Sequence, residues 1–465
     1  MEMCIRDGMM SLGCLCRLVL RALPKILAFS PSLLKTVQRD DHAHPPLMES
    51  AIVGSESLGL PQDILMDIFA LLEIPDLVRA GSVCSSWHAA YTSLCVTGPC
   101  RLQQTPCLLY TSESAGARAA GLYSLTEKKA YTVTLPDPPI RSRHIIGSSY
   151  GWIITADERS ELHLVNPITG EQIALPSVTT IEQVKPIFDH EGAVCNYEYS
   201  WYTGDDIISD TPSIFVPSKL RDFLFYKAFL SSDPAMGDYF VVLIHNPHSQ
   251  LSFARAGDDK WTWLPPHSDY ADCFFKGGLL YASTLLGEIH TIDLGDPAVT
   301  QEIFLGKVKD IYYERIYIVQ APCGELLQIW RSDADDEYDS DLEIEFDRES
   351  YVSITSAIKV HKVEPTSKKL VEISSLGENV MFLGHNQSLC LRAEEYPQLK
   401  ANHVYFTDDD DLYIMGFQNN RRDIGVFDLE NNSSDEIVSP QLWSNWPAPV
   451  WLIPNPRSIS LASRN

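Results

Sequence analysis

The segment from Gly147 to Gly151 matches the G-x-S-x-G motif that carries the nucleophile of α/β-hydrolases. In those enzymes a strained turn between a strand and a helix presents the serine, which here is Ser149. The residues that follow, Trp152 to Thr155, form an apolar and β-branched run that favours a strand instead of a helix. At the matching place in an internal repeat, Lys276–Gly278, the serine is missing. We therefore predict a turn between two strands and no nucleophile.

Four consecutive carboxylates, Asp408 to Asp411, raise the question of a site for a hard cation. A calcium-binding EF-hand loop needs acidic residues at alternate positions, a glycine at its sixth position and a glutamate at its twelfth. Counted from Asp408, those positions hold Tyr413 and Asn419, so we predict a hairpin turn. Histidines and cysteines also lack the spacing of a zinc site, and no glycine-rich phosphate loop occurs. We predict no metal, no cofactor and no catalytic residue.

The charge balance argues against two classes of partner. The chain of 465 residues has 62 acidic and 36 basic side chains, a formal net charge of −26. Such a chain repels nucleic-acid phosphates and anionic lipid, so we predict neither a nucleic-acid nor a membrane partner. Part of the excess lies between Ser332 and Ser350, where acidic residues outnumber the single basic residue, Arg348. Runs of this kind are usually solvated, and we predict an acidic loop insert at 332–350.

The N-terminal residues 1–57 are predicted to form a poorly ordered extension. The apolar stretch from Met9 to Phe29 is interrupted by Arg17, Arg21 and Lys25. It therefore lacks the run of about 18 apolar residues that a membrane span requires. Its basic and apolar character leaves an organelle transit peptide as the alternative. The 11 cysteines form no C-x-x-C pair, which favours reduced thiols and a location in the cytoplasm or nucleus.

Residues 58–98 have the apolar spacing of three short helices. Pro61 suits a first helical turn, because its missing N–H would be unpaired there. The first helix then carries an apolar stripe at helical spacing, formed by Ile64, Leu65, Ile68, Phe69 and Leu72. Pro75 starts a second helix that contains Leu77, and Gly81-Ser82 ends it. We predict Ser82 as the N-cap of the third helix.

This segment resembles an F-box, whose pattern is Leu-Pro, a Leu/Ile-rich helix, a proline-started helix and then Val-Cys-x-x-Trp. The resemblance implies docking on a Skp-type adaptor and, through it, on a cullin ubiquitin ligase. An ordinary helical hairpin inside a larger core is the alternative. The sequence does not separate the residues that contact the adaptor from those that hold the helices together. The candidate adaptor-binding residues are Leu60, Pro61, Ile64, Leu65, Ile68, Leu77, Val83, Cys84 and Trp87.

Downstream of residue 102, short alternating runs separated by turn residues predict an all-β domain. An internal repeat narrows the architecture: the strand-like runs that begin at Gly151 and Gly278 are 127 residues apart, and Asp293 and Asp428 are 135 apart. Divided by three, these offsets give about 42 and 45 residues, the length of one four-stranded propeller blade. We predict a β-propeller of six or seven blades over residues 103–456, and hence an α+β multidomain chain.

The β-rich part resembles the KIB-type β-propeller of plant F-box proteins over about residues 100–456. The resemblance implies a non-catalytic substrate receptor whose propeller holds a protein target, of unknown identity, for ubiquitination. Two alternatives are an adaptor-bound protein that acts outside a cullin ligase and an enzyme hosted by the propeller. The segments that carry the resemblance are Ser149–Thr155, Leu162–Pro176, Asn402–Asp410, Ile424–Asn431 and Pro449–Pro456.

Overall fold

A computed structural model describes the chain in two compact units. The described residues are 60–70, 72–97, 104–203, 206–264, 268–296, 299–309, 314–333, 352–396, 398–410, 414 and 416–457. The predicted N-terminal extension and most of the predicted acidic insert lie outside them. One unit comprises Gln104, the described residues before it, and Pro456 with Arg457; the other is Thr105–Asn455. No helix in the described residues is long and apolar enough to cross a membrane.

The helical unit contains three helices: α1 Gln62–Phe69, α2 Ile74–Gly81 and α3 Ser85–Thr97. Pro61 is the N-cap of α1, one residue earlier than predicted, and Pro75 lies in the first turn of α2, where no N–H is needed. The prediction for Ser82 is wrong, because this residue is the C-cap of α2. Its hydroxyl donates to the carbonyl oxygen of Val78 at 2.9 Å and so serves the preceding helix.

A small apolar interior holds the three helices together. The ring of Trp87 packs edge-on against Phe69 with centroids 5.3 Å apart. Buried Gln104 fastens the link between α1 and α2: its side-chain oxygen accepts from the Ile74 N–H at 2.7 Å, and its amide donates to the Leu72 carbonyl at 2.9 Å. The buried residues of this interior are Leu65, Phe69, Leu72, Leu77, Ala80, Ala90 and Leu94.

The described residues of the β unit form seven sheets, which we number in chain order. Sheet I contains β1 Cys107–Tyr110, β2 Ala119–Ser124, β3 Lys129–Thr134 and the last strand of the chain, β28 Val450–Leu452. Sheet II contains β4 His144–Ser149, β5 Trp152–Ala156, β6 Leu162–Val165 and β7 Gln172–Ala174. Sheet III contains β8 Val184–Phe188, β9 Val194–Tyr202 and β10 Ile207–Phe215. Helix α4, Pro217–Leu224, follows.

The remaining four sheets follow α4. Sheet IV contains β11 Phe225–Leu230, β12 Phe240–His245, β13 Gln250–Arg255 and β14 Thr262–Trp263. Sheet V contains β15 Tyr270–Lys276, β16 Leu279–Thr284, β17 Ile289–Ile292 and β18 Gln301–Leu305. Sheet VI contains β19 Arg315–Gln320, β20 Leu326–Asp333, β21 Thr355–Glu364 and β22 Lys369–Ile373. Sheet VII contains β23 Asn379–Leu383, β24 Leu389–Arg392, β25 His403–Phe406, β26 Gly425–Asp428 and β27 Ser433–Glu436.

Adjacent strands are antiparallel except β23 and β25, and the last strand of the chain pairs with the first. In sheet I, β28 lies beside β1, with Val450 opposite Leu109 and Leu452 opposite Cys107. Central strands such as β2 and β5 are buried along their whole length, whereas the edge strand β3 is mostly exposed. A central strand carries sheet packing on both faces, which explains its continuous apolar character.

The most extensive contacts between sheets among the described residues form one succession in which sheet III takes no part. Strands β28 and β4, β4 and β11, β11 and β15, β15 and β19, and β19 and β24 are in contact. The approach of β4 to β11 requires a glycine, since a Cβ on Gly147 would lie 2.3 Å from the Ala228 carbonyl oxygen. Sheet III lies between these strands in the sequence. It contacts α4, and Tyr202 of β9 packs edge-on against Trp263 of sheet IV with ring centroids 5.8 Å apart.

Two sequence predictions on turns have opposite outcomes. The predicted turn near Ser149 is confirmed: β4 and β5 are joined through Tyr150 and Gly151, both with positive φ. The predicted hairpin turn at Asp408–Asp411 is wrong for Asp408–Asp410, and Asp411 lies outside the described residues. Strand β25 ends at Phe406 and β26 begins at Gly425, and Asp408 and Asp409 are buried inside the long connection. The predicted start of the acidic insert is also too early, because Ser332 and Asp333 belong to β20.

Candidate functional site

The structure divides the predicted adaptor-binding residues into three groups. Leu65 and Leu77 are buried in the interior of the helical unit, where Leu77 is 0% exposed. Leu60, Pro61 and Cys84 are exposed, and Leu60 keeps 49% of its surface in solvent. The residues that are partly buried are Ile64, Ile68, Val83 and Trp87. The interior pair therefore holds the helices together, while the other residues retain surface for a partner.

The exposed apolar residues lie at the start of α1. Leu60 and Pro61 precede the helix, and the Pro61 carbonyl accepts the first helical hydrogen bond from the Leu65 N–H at 3.0 Å. The start of α1 is tied to α3, because the Gln62 amide donates to the Ser93 hydroxyl at 2.9 Å. Leu60 and Pro61 thus extend from a helix end whose position is set by its neighbours.

Cys84 occupies the N-cap position of α3, a role that sequence reasoning assigned to Ser82. Its sulfur lies 3.2 Å from the Ser86 hydroxyl. Hydrogen bonds from the Ser86 side chain and from the Trp87 backbone N–H lower the pKa of the Cys84 thiol. The Trp87 backbone N–H is a donor that an N-cap side chain normally satisfies. The exposed thiol is therefore a structural cap at the edge of the candidate surface.

The β unit buries a group of charges that we call the arginine–aspartate cluster. At its centre is Arg331 of β20, which is 0% exposed. Its guanidinium donates to Asp423 at 3.0 Å, to the Thr407 carbonyl at 2.7 Å and to the Thr355 hydroxyl at 2.7 Å. The members of the cluster are Arg315, Arg331, Arg422, Asp333, Asp408, Asp409 and Asp423.

Burial and pairing act differently on two neighbouring carboxylates of the cluster. Burial raises the pKa of Asp408 to about 6, although Arg315 and Arg422 oppose the shift. Burial also acts to raise the pKa of Asp409, but Arg315 and Arg331 outweigh it and the pKa falls below its ordinary value. Asp409 also accepts a hydrogen bond of 2.9 Å from the Tyr317 hydroxyl. Such partners are what a buried charge requires.

A second buried ion pair joins three sheets and the segment that precedes β24. Lys227 of β11 and Asp272 of β15 are 2.9 Å apart and both are buried. The carboxylate of Asp272 also accepts from the Ile318 backbone N–H at 2.9 Å and from the Ser388 hydroxyl at 2.8 Å. Sheets IV, V and VI and the segment before β24 therefore meet at one carboxylate. This arrangement fastens sheets together and presents no free base.

The geometry around Ser149 offers no catalytic group. Ser149 ends β4, and its buried hydroxyl has no hydrogen-bond partner among the described residues. A serine nucleophile needs a base within hydrogen-bond reach, and none is in place here. In the described part of the chain, no three His, Cys, Asp or Glu side chains are placed to hold a metal ion.

Comparisons with known proteins give the family. The chain belongs to the KIB1-4 beta-propeller family, whose model matches residues 122–428. An F-box-like model matches residues 58–94. Both resemblances found in the sequence are thereby confirmed. An F-box-like domain implies binding to a Skp-type adaptor.

Relatives of the chain are named as F-box proteins. It is 25% identical to F-box protein KIB4 of Arabidopsis thaliana, over 76% of this chain and 83% of that protein. It is 29% identical to F-box only protein 7 of the same plant, over 47% and 53% of the two chains. It is 22% identical to F-box protein SKIP23, also from Arabidopsis thaliana, over 86% and 96%.

Sequence reasoning missed the arginine–aspartate cluster. A signal for the cluster exists at Arg331, which follows the apolar run Leu326–Trp330 with no turn residue between them. A charged residue that continues a buried strand indicates a buried ion pair. Its acidic partners, Asp409 and Asp423, lie 78 and 92 positions further along the chain, so no local pattern identifies them.

Proposed function

We propose that this protein is the substrate-recognition subunit of a Skp–cullin–F-box ubiquitin ligase. The observation that carries the proposal is the exposed apolar start of α1 on a helical unit that already has its own interior. Leu65 and Leu77 form that interior. Leu60 and Pro61 therefore have no structural need to be apolar, and a partner surface accounts for them.

The β unit supplies the other half of the proposed function. We infer a six-bladed propeller from sheets I, II, IV, V, VI and VII, with sheet III as an accessory. Strand β28 supports this inference, because it pairs with β1 while Trp451 packs edge-on against Phe382 of sheet VII at 5.1 Å. Such a closed ring is a rigid platform that can hold a protein target.

The chain itself then performs no chemistry. A receptor of this kind holds the target near a loaded ubiquitin-conjugating enzyme, and the gain comes from proximity. We propose that the protein works in the cytoplasm or nucleus, where cullin ligases operate.

The test is co-purification of the full chain with a Skp-type adaptor and a cullin. We expect Leu60→Ala combined with Pro61→Ala to weaken adaptor binding by more than about a hundredfold, since each buried interface anchor commonly contributes about 2 kcal/mol. Val371→Ala is the matched control, because Val371 is an apolar residue of similar exposure, 47%, in the β unit.

Two results would count against the proposal. Unchanged adaptor binding by the double variant would remove the role assigned to α1. Adaptor binding without any cullin in the complex would replace the ligase assignment by an adaptor-bound interaction module. Circular dichroism of the double variant must match the parent protein for either result to be interpreted.

A further inference from the structure

Sheet III carries an unusual share of the exposed apolar surface. Of the twelve large apolar side chains that are exposed among the described residues, five belong to this sheet or directly follow it. Ile207 is the most exposed of all, at 73%. The five are Phe188, Ile207, Ile208, Ile214 and Val216. Such a concentration of exposed apolar side chains on one sheet favours an interaction surface.

A groove of about 420 Å³ lies along β9 and the start of β10. Its aromatic wall is held in place. The Trp201 indole donates to the Ser213 hydroxyl at 2.8 Å, and its ring packs against Phe223 at 5.3 Å. The Tyr202 hydroxyl donates to the Glu182 carbonyl at 3.2 Å. The groove is therefore preorganised, which reduces the entropic cost of binding.

Two carboxylates line this groove and form no ion pair with a basic side chain of the described residues. Asp206 and Asp210 both line it and both are exposed. Neither forms an ion pair with any Lys, Arg or His in the described ranges. In the arginine–aspartate cluster, by contrast, Asp409 lies within 3.6 Å of two arginines. The groove thus offers negative charge beside aromatic rings, and a cationic side chain is the complement of both.

The backbone of β10 argues against strand addition as the binding mode. Pairing with β9 shifts register on both sides of Ser209, so that the next paired residue is Ser213. Residues 210–212 bulge away from β9, and Pro212 has no N–H to give an added strand. A bulge and a proline at a sheet edge both prevent edge pairing. A ligand must therefore be recognised by its side chains.

We propose that this groove, which we call the sheet III groove, binds a segment of the protein target that contains lysine or arginine flanked by aliphatic residues. The cationic side chain lies between Asp206, Asp210 and the aromatic wall, and the aliphatic residues cover Ile207 and Ile214. Nucleic acid and anionic lipid are repelled by the same carboxylates. The inference rests on the proposed function, because it names the surface and the chemistry by which the receptor holds its target.

The experiment uses the full chain co-purified with its adaptor and two labelled peptides of the pattern Leu-x-Arg-x-Leu and Leu-x-Gln-x-Leu. We expect the arginine peptide to bind and the glutamine peptide to bind at least about tenfold more weakly. We expect Asp206→Asn combined with Asp210→Asn to remove that preference, and Ile207→Ser to weaken both peptides. Binding of the arginine peptide should fall as salt rises, because exposed charges are screened.

A matched control is available on another edge strand. Glu302 and Ile303 of β18 are adjacent and exposed, like Asp206 and Ile207. Glu302→Gln with Ile303→Ser should leave peptide binding unchanged. Equal binding of the two peptides, or parental binding by the double aspartate variant, would overturn the inference.

Failure of this inference can be told apart from failure of the proposed function. The groove variants should retain adaptor binding, and Leu60→Ala with Pro61→Ala should retain peptide binding. Loss of adaptor binding in the groove variants would show that they damage the fold or the adaptor surface, and would overturn the assignment of a separate groove.

Discussion

The helical unit and the β unit treat apolar and charged side chains in opposite ways. The helical unit buries only a few apolar residues and leaves others, such as Leu60 and Val96, in solvent. The β unit is large enough to enclose charges and pair them, as at Arg331 and Asp423. Small units have too little interior to hide their apolar residues. We therefore propose the exposed apolar residues as a partner surface in the first unit, whereas the buried charges of the second unit support its fold.

Sheet III of the β unit resembles the helical unit in one respect, because both leave large apolar side chains exposed to solvent. Its most extensive contact outside the sheet is with α4 and not with another sheet, and its edge strand exposes Ile207 and Ile214. Its carboxylates at Asp206 and Asp210 are exposed, unlike those of the arginine–aspartate cluster. The difference shows that the surroundings of a residue type, more than the type itself, decide whether it supports the fold or a partner.

The strongest test of this comparison removes the central charge of the cluster. Arg331→Met should destabilise the β unit by about 3–5 kcal/mol, because Asp409 and Asp423 lose a partner while still buried. The measurement is urea unfolding of the full chain followed by tryptophan fluorescence. Arg255→Met is the control: Arg255 pairs with Asp238 at 3.1 Å, but both side chains are exposed. That pair should contribute at most about 1 kcal/mol, and equal losses in both variants would contradict the structural role of the cluster.

A second test separates interior from surface within the helical unit. Leu77→Ala should destabilise the three helices by about 2–5 kcal/mol, as buried leucine truncations do. Leu60→Ala should change their stability by less than about 0.5 kcal/mol, as exposed substitutions do. Hydrogen exchange of residues 62–97 in the full chain measures both. Similar protection in the two variants would show that burial does not divide the predicted adaptor residues as described.

A third test uses pH to probe buried histidines of the β unit. Burial lowers the pKa of His245 from 6.5 to about 4. As pH falls, His245 of the unfolded chain is therefore protonated before His245 of the folded chain. The free energy of unfolding decreases between pH 6.5 and pH 4, by up to about 1.4 kcal/mol per pH unit. Burial shifts the pKa of His144, His163, His290 and His361 in the same direction.

The variant His245→Gln isolates the contribution of one histidine. The wild-type protein should lose more stability than this variant between pH 7 and pH 5, by about 2 kcal/mol. The difference between their urea midpoints at the two pH values measures it. Parallel pH profiles would mean that His245 titrates normally in the folded protein.

The smallest effect is expected from shortening the acidic insert. Asp333 and Thr355 are opposite each other on β20 and β21, so the chain leaves and returns at adjacent points. Replacing residues 336–349 by a short Gly/Ser turn should change the free energy of unfolding only slightly, because loop-closure entropy varies slowly with loop length. Since about 1 kcal/mol corresponds to about 2–4 °C, the melting temperature should shift by only a few degrees. A large drop measured by calorimetry would assign the insert a structural role.

Local patterns were sufficient for the elements that depend on neighbouring residues. The three helices lie where apolar spacing and Pro75 predicted them, and the turn after Ser149 follows from its strand-forming flanks. The prediction for Ser82 was wrong because a serine hydroxyl between two helices can cap either of them. Only its hydrogen bond to the Val78 carbonyl shows that it caps the preceding helix. The hairpin turn predicted at Asp408–Asp411 was wrong because consecutive carboxylates usually lie in solvent. No neighbouring residue in the sequence indicates that Arg315 and Arg331 pair with them in the folded chain.

The sequence by itself determined the helical unit, the repeated four-stranded pattern and the family, because periodicity, prolines and repeat length are properties of nearby residues. Only the tertiary structure decided which sheets neighbour one another. The stretch from Pro176 to Pro217 has the length of a blade, 41 residues, and it contains sheet III. Strands β4 and β11, which lie before and after sheet III in the sequence, nevertheless contact each other directly. The chain order of strands does not specify their order in space, because packing between sheets joins residues that are distant in sequence. For the same reason only the folded chain shows which aspartates meet an arginine and which face solvent.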